Sequence, residues 1–246
     1  MSTVVITQPM LFPWPGFFEQ LMLADHYIYL DDTQFSKGSF TNRVQVLQGD
    51  DRAWMTIPLA GNGTFQQIAD LQASDKQDWK TRHRDLLKQS LRGAPYLDDA
   101  LRVFDQVYAH TNLLDLLIAS IEEPARYLGV GVGRTIQKTS AMDVGGTSWQ
   151  RVLDIVLRAG GDHYLTGHGA ANYLDHDAFA RSGVHVQYMN YSRTPWPQPG
   201  GRFTPYVSVL DLIARMGPES RACLIPSTTA WQEFLKETGA AQQAST

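Results

Sequence analysis

Thr3-Val-Val-Ile-Thr7-Gln8-Pro9-Met-Leu-Phe12-Pro13-Trp14-Pro15-Gly16-Phe17 opens the chain, and Tyr27-Ile-Tyr-Leu30-Asp31-Asp32 follows closely. The β-branched run Thr3 to Thr7 predicts a buried first strand, ended by Gln8-Pro9. Prolines at 9, 13 and 15 with Gly16 predict a rigid loop rather than a helix start. Phe17 to Ala24 resumes with good helix formers. Tyr27 to Leu30 reads as a second strand running directly into Asp31-Asp32. Together they make a β-loop-α-β unit, which sets the fold class as α/β.

Working outward, Val44 to Leu47 and Trp54 to Ile57 predict a hairpin across Gly49-Asp50-Asp51. From Asp75 to Leu128 the hydrophobic period becomes helical, with Trp79, Leu86, Leu87 and Leu91 on one face. This is expected to be a helical insertion, in position to form a small lobe, and Pro124 should end or kink its last helix. Alternation then returns: strand-like Arg134 to Lys138, a helix over Thr147 to Ala159, strand His163 to Thr166, helix Asp175 to Arg181, strand Val184 to Tyr188. Strands alternating with helices predict a mainly parallel, doubly wound sheet. Asn190 to Thr204 is a long Pro/Gly-rich connection and a candidate lid. Val207 to Met216 reads as a final amphipathic helix. The expected organisation is one domain: an α/β core over about residues 1–60 and 130–217, the insertion over about 75–128, and a disordered tail over about 239–246.

Composition narrows the function classes. The 246 residues are 43% hydrophobic with net charge −4, and no Lys/Arg run appears, so a nucleic-acid partner is not expected. A single cysteine, Cys223, offers no internal disulfide and fits a cytoplasmic setting. The N-terminus lacks the charged and apolar regions of a signal peptide, and no stretch has the length of a membrane span. No Cys pair or spaced His pair predicts a metal site.

Ligands of parallel sheets bind outside the carboxyl ends of the strands. Four strand ends are polar or glycine-rich: Gln8-Pro9, Asp31-Asp32-Thr33-Gln34, Thr139-Ser140 and Thr166-Gly167-His168-Gly169. The densest is the segment Asp31 to Arg43, with Asp31, Asp32, Gln34, Lys37, Asn42 and Arg43. One carboxylate can serve as general base or amine anchor while the other orients. Lys37 and Arg43 suit a phosphate or carboxylate. Phe35 and Phe40 are expected to hold this loop down. The alternative is a solvated turn with ordinary surface charges. His168 lies between two glycines with little packing of its own, a candidate acid or base, against the alternative of an exposed turn histidine. Asp31, Asp32, His168 and Lys37 are thus the catalytic candidates; Gln8, Trp14, Gln34, Asn42, Arg43, Ser140, Gly167 and Gly169 are the substrate-binding ones. His83 and His110 fall on helices and His176 reads as a surface residue, none of them a strong candidate.

The motifs Gln-Pro-x-x-Phe-Pro-x-x-Gly-Phe-Phe at 8–18, Asp-Asp-x-Gln-Phe at 31–35, Asn-Arg at 42–43 and Ile-Pro-Leu at 57–59 resemble WbqC-like proteins. So do Gly-Ala-Pro-Tyr at 93–96, Tyr-Leu-x-Gly-x-Gly-Ala-x-x-Tyr-Leu at 164–174 and Val-Ser-Val-Leu-Asp-Leu at 207–212. The resemblance runs from about residue 3 to residue 217. It implies a role in surface-polysaccharide or specialised-metabolite biosynthesis. Thr7 stands where many relatives carry histidine. The opening unit also resembles nucleotidylyltransferases and the Rossmann-like sheets, but Phe17 replaces the histidine of their Pro-x-x-Gly-His loop.

Three functions follow as expectations. The first is a group-transfer enzyme joining an acyl or aminoacyl group to an amine, with a small-molecule substrate and an acyl-carrier protein or other carrier-bound thioester as donor. The second is a nucleotide-dependent transferase or ligase. The third is a non-catalytic binding or scaffold protein of a biosynthetic complex. No bound cofactor is predicted beyond such a nucleotide or thioester donor.

Overall fold

A computed structural model describes residues 1–243. The opening unit forms as the sequence dictates: strand β1 (Thr3–Thr7), helix α1 (Phe17–Leu23) and strand β2 (His26–Tyr29). Next come the hairpin strands β3 (Arg43–Gln48) and β4 (Asp51–Thr56), a separate two-stranded antiparallel sheet. Gly49 makes its turn at φ 62°, a conformation that favours glycine. Helices α2 (Trp79–Ser90), α3 (Leu97–Tyr108) and α4 (Leu113–Leu128) lead to β5 (Thr135–Lys138), α5 (Ser148–Arg158), β6 (His163–Thr166), α6 (His176–Arg181) and β7 (His185–Met189). The chain closes with α7 (Val209–Met216), β8 (Thr228–Ala230) and α8 (Trp231–Gln243).

The main sheet has the order β5-β2-β1-β6-β7-β8. Every pairing is parallel except β7 with β8. From β1 the order runs outward in both directions, to β2 and β5 on one side and to β6 and β7 on the other. Both faces of β1 are buried, and the strand's period of two divides them. Val5 joins the cluster built on α1, α3, α4 and α7, whereas Val4 and Ile6 join the cluster of Val152, Ile155, Phe179 and Phe234 from α5, α6 and α8. Helices therefore cover the sheet on both sides. The parallel pairings also bring Gln8, Asp31, Thr139 and Gly167 to one edge, as the reading of strand ends predicts.

Several expectations are corrected. Pro124 lies inside α4, which continues to Leu128 and ends on Gly129 at φ 63°. The lost N–H removes one helical bond, but buried Ala125 and Leu128 and the glycine cap carry the helix past it. Helices α2 to α4 form no lobe: Phe104 and Leu117 share one core with Val5 and Leu210. Helix α8 runs to Gln243, into the stretch 239–246 expected as a tail; residues 244–246 lie outside the described residues. Strand β8, an antiparallel edge strand of three residues, has too little sequence for its period to register. Cys223 is free and buried, in the 3-10 segment Gly217–Cys223, and burial raises its thiol pKa. No described helix is long and apolar enough to cross a membrane.

Candidate functional site

The loop after β1 is fixed from below. Ser120 of α4 is fully buried; its hydroxyl lies 2.6 Å from the Met10 carbonyl and 2.8 Å from that of Leu117, and it accepts the Phe12 N–H at 3.2 Å. Leu11 N–H donates to the Phe40 carbonyl at 3.1 Å, and Phe12 takes φ 39°, strained for a non-glycine residue. At the loop's far end the outer edge of the Trp14 ring lies against Gly16, where a Cβ would stand 2.2 Å from it. Trp14 in turn meets Tyr191 at 4.8 Å and Tyr206 at 5.4 Å between ring centroids.

These residues wall a cleft of about 870 Å³ at the ends of β1 and β6, where strand order changes direction. That is the place and size of a small-molecule site. It is lined by Thr7, Gln8 and Thr166 from the strand ends, by Gly167 and Gly169 from the turn after β6, and by buried Val44, Gln45 and exposed Arg52 from the hairpin. Gln20, buried on α1, donates to the Tyr191 hydroxyl at 3.1 Å. Burial raises the pKa of Tyr164, Tyr173 and Tyr191, so these phenols stay neutral at ordinary pH. Leu30 and half-exposed Tyr173 separate the cleft from a second cavity of about 480 Å³ over the end of β2.

The sequence-predicted residues divide into three groups. Gln8, Trp14, Gly167 and Gly169 line the main cleft. Asp32 and Gln34 line the second cavity. The others face elsewhere. Asp31 is fully buried and accepts the Ser140 N–H at 3.0 Å, the Ser140 hydroxyl at 2.6 Å and the Thr139 hydroxyl at 3.1 Å, clamping the end of β5 to that of β2. Asp32 accepts from Arg151 at 2.6 Å and Thr139 at 2.7 Å. Its burial would raise the carboxyl pKa, but these hydrogen bonds and the guanidinium charge outweigh it and hold the pKa below the usual value. The loop carrying both is laced to residues 66–69 through Phe35 N–H to the Gln66 carbonyl and Ile68 N–H to the Thr33 carbonyl. Gln8 Nε2 reaches the same loop at Thr33 Oγ1, 3.3 Å away.

Asn42 donates its side-chain amide to the Ile57 carbonyl at 2.9 Å and is buried there. Arg43 stacks over Trp54 at 4.1 Å and donates to the Gly38 carbonyl. Lys37 is exposed on the loop's outer turn. Phe35 is buried as expected, but Phe40 is half-exposed: it packs against Trp54 at 5.8 Å and lines the cleft rather than the core. His168 stands exposed beside the cleft, its ring 5.5 Å from that of Tyr191 and 4.9 Å from that of Phe234. Its Nε2 lies 2.7 Å from the Met189 carbonyl, which can only accept, so the neutral ring carries its proton on Nε2. Nδ1 makes no hydrogen bond among the described residues and keeps its lone pair.

Sequence reasoning missed Gln20, Gln45, Arg52, Arg151, Tyr173, Tyr191 and Tyr206. Tyr191 and Tyr206 sit in or beside the long Pro/Gly-rich connection, whose aromatic content was a signal. Nothing local marks Arg52 or Gln45, which reach the cleft because the hairpin packs on α2 and is tied to Ser208 at the start of α7. The 190–207 connection is itself tied down: Trp196 is buried and donates to Asp211 of α7 at 2.7 Å, joined there by Gln198 at 3.1 Å and Arg215 at 2.9 Å.

No solved structure matches this chain. An uncharacterized protein of Mycobacterium tuberculosis (strain ATCC 25618 / H37Rv), Rv1507c, is 26% identical over 224 residues, covering 89% of this chain and 96% of that protein. The model of the WbqC-like protein family matches residues 8–223, a span that takes in the proline loop, both strand-end carboxylates, the hairpin and the Gly167–Gly169 turn. The chain belongs to the WbqC-like protein family.

Proposed function

We propose that this protein is a group-transfer enzyme of a biosynthetic pathway, joining an acyl or aminoacyl group to an amine held in the cleft at the ends of β1 and β6. The observation that carries the reading is the cleft itself: a large, aromatic and amide-walled cavity at the reversal of strand order, with an imidazole nitrogen free beside it. Among the described residues no carboxylate lines the cleft to hold an ammonium, and the amine reacts in its neutral, nucleophilic form. Its nitrogen attacks the acyl carbon of a thioester, the C–S bond breaks, and Nδ1 of His168 takes the amine proton and returns it to the departing thiolate. The N–H groups of the Gly167–Gly169 turn are the candidate donors to the oxyanion. Asp31 and Asp32 act in this reading as positioning residues, because their oxygens already hold Ser140, Thr139 and Arg151.

A specific observation favours a nucleotide-dependent variant. Counting only the strands of the main sheet, their order is 3-2-1-4-5-6, that of doubly wound dinucleotide-binding folds. Two features oppose it. Phe17 is buried in the core, and the N–H groups of Phe17, Phe18 and Glu19 are spent on Trp14, Pro15 and Gly16 carbonyls rather than left for a phosphate.

One experiment separates the readings. Purified protein is incubated with acyl thioesters and a panel of primary amines, with and without ATP or CTP, and products are followed by mass spectrometry. Amide formed without nucleotide, with His168→Gln lowering turnover by roughly 100-fold, supports direct transfer. Amide formed only with nucleotide supports the second reading. No amide under either condition overturns the amide-forming chemistry.

A further inference from the structure

Arg52 is the only formally charged side chain lining the main cleft among the described residues. It projects from β4, and its Nη1 donates to Oε1 of Gln45 across the hairpin at 2.9 Å, which holds the guanidinium at the rim. A second guanidinium stands close by: that of Arg193 lies 5.7 Å from the centre of the Tyr206 ring, another wall of the cleft. No described carboxylate lines the cleft. Asp51, the neighbour of Arg52 on β4, falls on the opposite face of that strand, Asp50 lies in the hairpin turn against Gly200, Asp31 is enclosed by Thr139 and Ser140, Asp32 faces the second cavity with Arg151, and Glu19 is buried under Ser192, its carboxyl pKa raised by burial. Among the described residues the lining therefore carries one formal charge, a positive one, on walls that are otherwise neutral and rich in aromatic rings. Inside stands the corner made by Trp14, Tyr191 and Tyr206, rings that the described residues leave partly exposed to the cleft.

An interior of ring faces selects a flat apolar or aromatic body, since such faces gain most by exchanging water for another flat surface. A positive rim without a carboxylate selects a negative end group and disfavours an ammonium. We infer that the cleft's ligand is an aromatic or apolar acid, its body against the Trp14–Tyr191–Tyr206 corner and its anionic group at Arg52. This deepens the reading of the cleft as the substrate site and rests on it, but it does not depend on amide formation. The acid is one substrate or its carboxylate-bearing part.

Three matched probes test it: 2-naphthoate, the neutral 2-naphthamide and the cationic 2-naphthylmethylammonium, titrated into the full chain by calorimetry at low and high salt. The acid is expected to bind roughly fivefold more tightly than the amide, in keeping with one rim charge, and the ammonium most weakly. Arg52→Gln should bring the acid down to the affinity of the amide and leave the amide unchanged. Arg52→Lys should restore part of the difference, and added salt should shrink it. Trp14→Ala should weaken all three, because it removes the corner and not the charge. If acid and amide bind alike, or if Arg52→Gln leaves the acid unaffected, the inference is wrong while the cleft survives as a binding site. If none of the probes binds, both the inference and the cleft's role as the substrate site fall.

Discussion

A methyl group at Gly16 would stand 2.2 Å from the Trp14 ring, far inside contact distance. The backbone there is at φ −60°, open to any residue, so the glycine is required by the neighbouring indole and not by conformation. Gly16→Ala should therefore leave the helix intact and drive the ring off its seat. The expected result is a loss of roughly 1–3 kcal/mol in urea unfolding, with a clear loss of affinity for any ligand that rests on Trp14. An unchanged midpoint would mean the ring moves aside freely. Other residues gain meaning the same way, from what touches them. Asp31 and Asp32 look alike in sequence, yet one is enclosed by hydroxyls at the end of β5 and the other paired with a guanidinium of α5. Both were visible as strand-end carboxylates; which oxygen each would hold was not.

At the scale of elements, the 190–207 connection contains little regular structure, and its order comes from α7. Asp211 is almost wholly buried and serves Trp196, Gln198 and Arg215 at once. Removing it leaves a buried guanidinium and an indole N–H without their acceptor. Asp211→Ala should cost about 3 kcal/mol and expose the connection to limited proteolysis before the rest of the chain unfolds. Asp211→Asn keeps an acceptor for Trp196 and should fall between the two. Equal proteolytic resistance in the alanine variant would show that the aromatic packing of Trp196 with Phe203 suffices. The sequence marks this stretch as a candidate lid because it is long and rich in Pro and Gly; the acceptor that holds it in place is contributed from α7.

Across the whole molecule, one titrating group ties the hairpin to the helical layer. His83 of α2 is buried, with Nδ1 2.7 Å from the Tyr108 hydroxyl and Nε2 3.0 Å from the Thr56 carbonyl of β4. Desolvation lowers its pKa to about 4, against an ordinary value of 6.5. Between those values the unfolded chain binds a proton that the folded chain refuses. The stability His83 contributes is thus complete above pH 6.5 and is lost as the pH falls towards 4. At 1.36 kcal/mol per unit, the loss is about 3 kcal/mol. His83→Gln should be less stable at pH 7.5, with a gap to the wild type that narrows by roughly 2–3 kcal/mol at pH 4.5, as read from urea midpoints. A gap independent of pH would show that the histidine titrates normally.

The sequence by itself determined the α/β class, the parallel strands and their order of appearance, the hairpin and the family, because these rest on local periods and short motifs that each segment carries alone. It also located the strand-end edge where the cleft opens, since parallel strands must present their carboxyl ends together. Only the tertiary structure decided which strand-end residues face the cleft. Gln8, Trp14, Gly167 and Gly169 line it, Asp31 and Asn42 fasten the frame, and Arg52, Gln45 and Gln20 arrive from elements whose own sequence gives no sign of it. The physical reason is that a period places a residue on one face of its own strand or helix, while the neighbour across that face is set by how distant segments pack. The Asp31–Lys37 loop borders the second cavity, and its carboxylates turn out to be held by the fold.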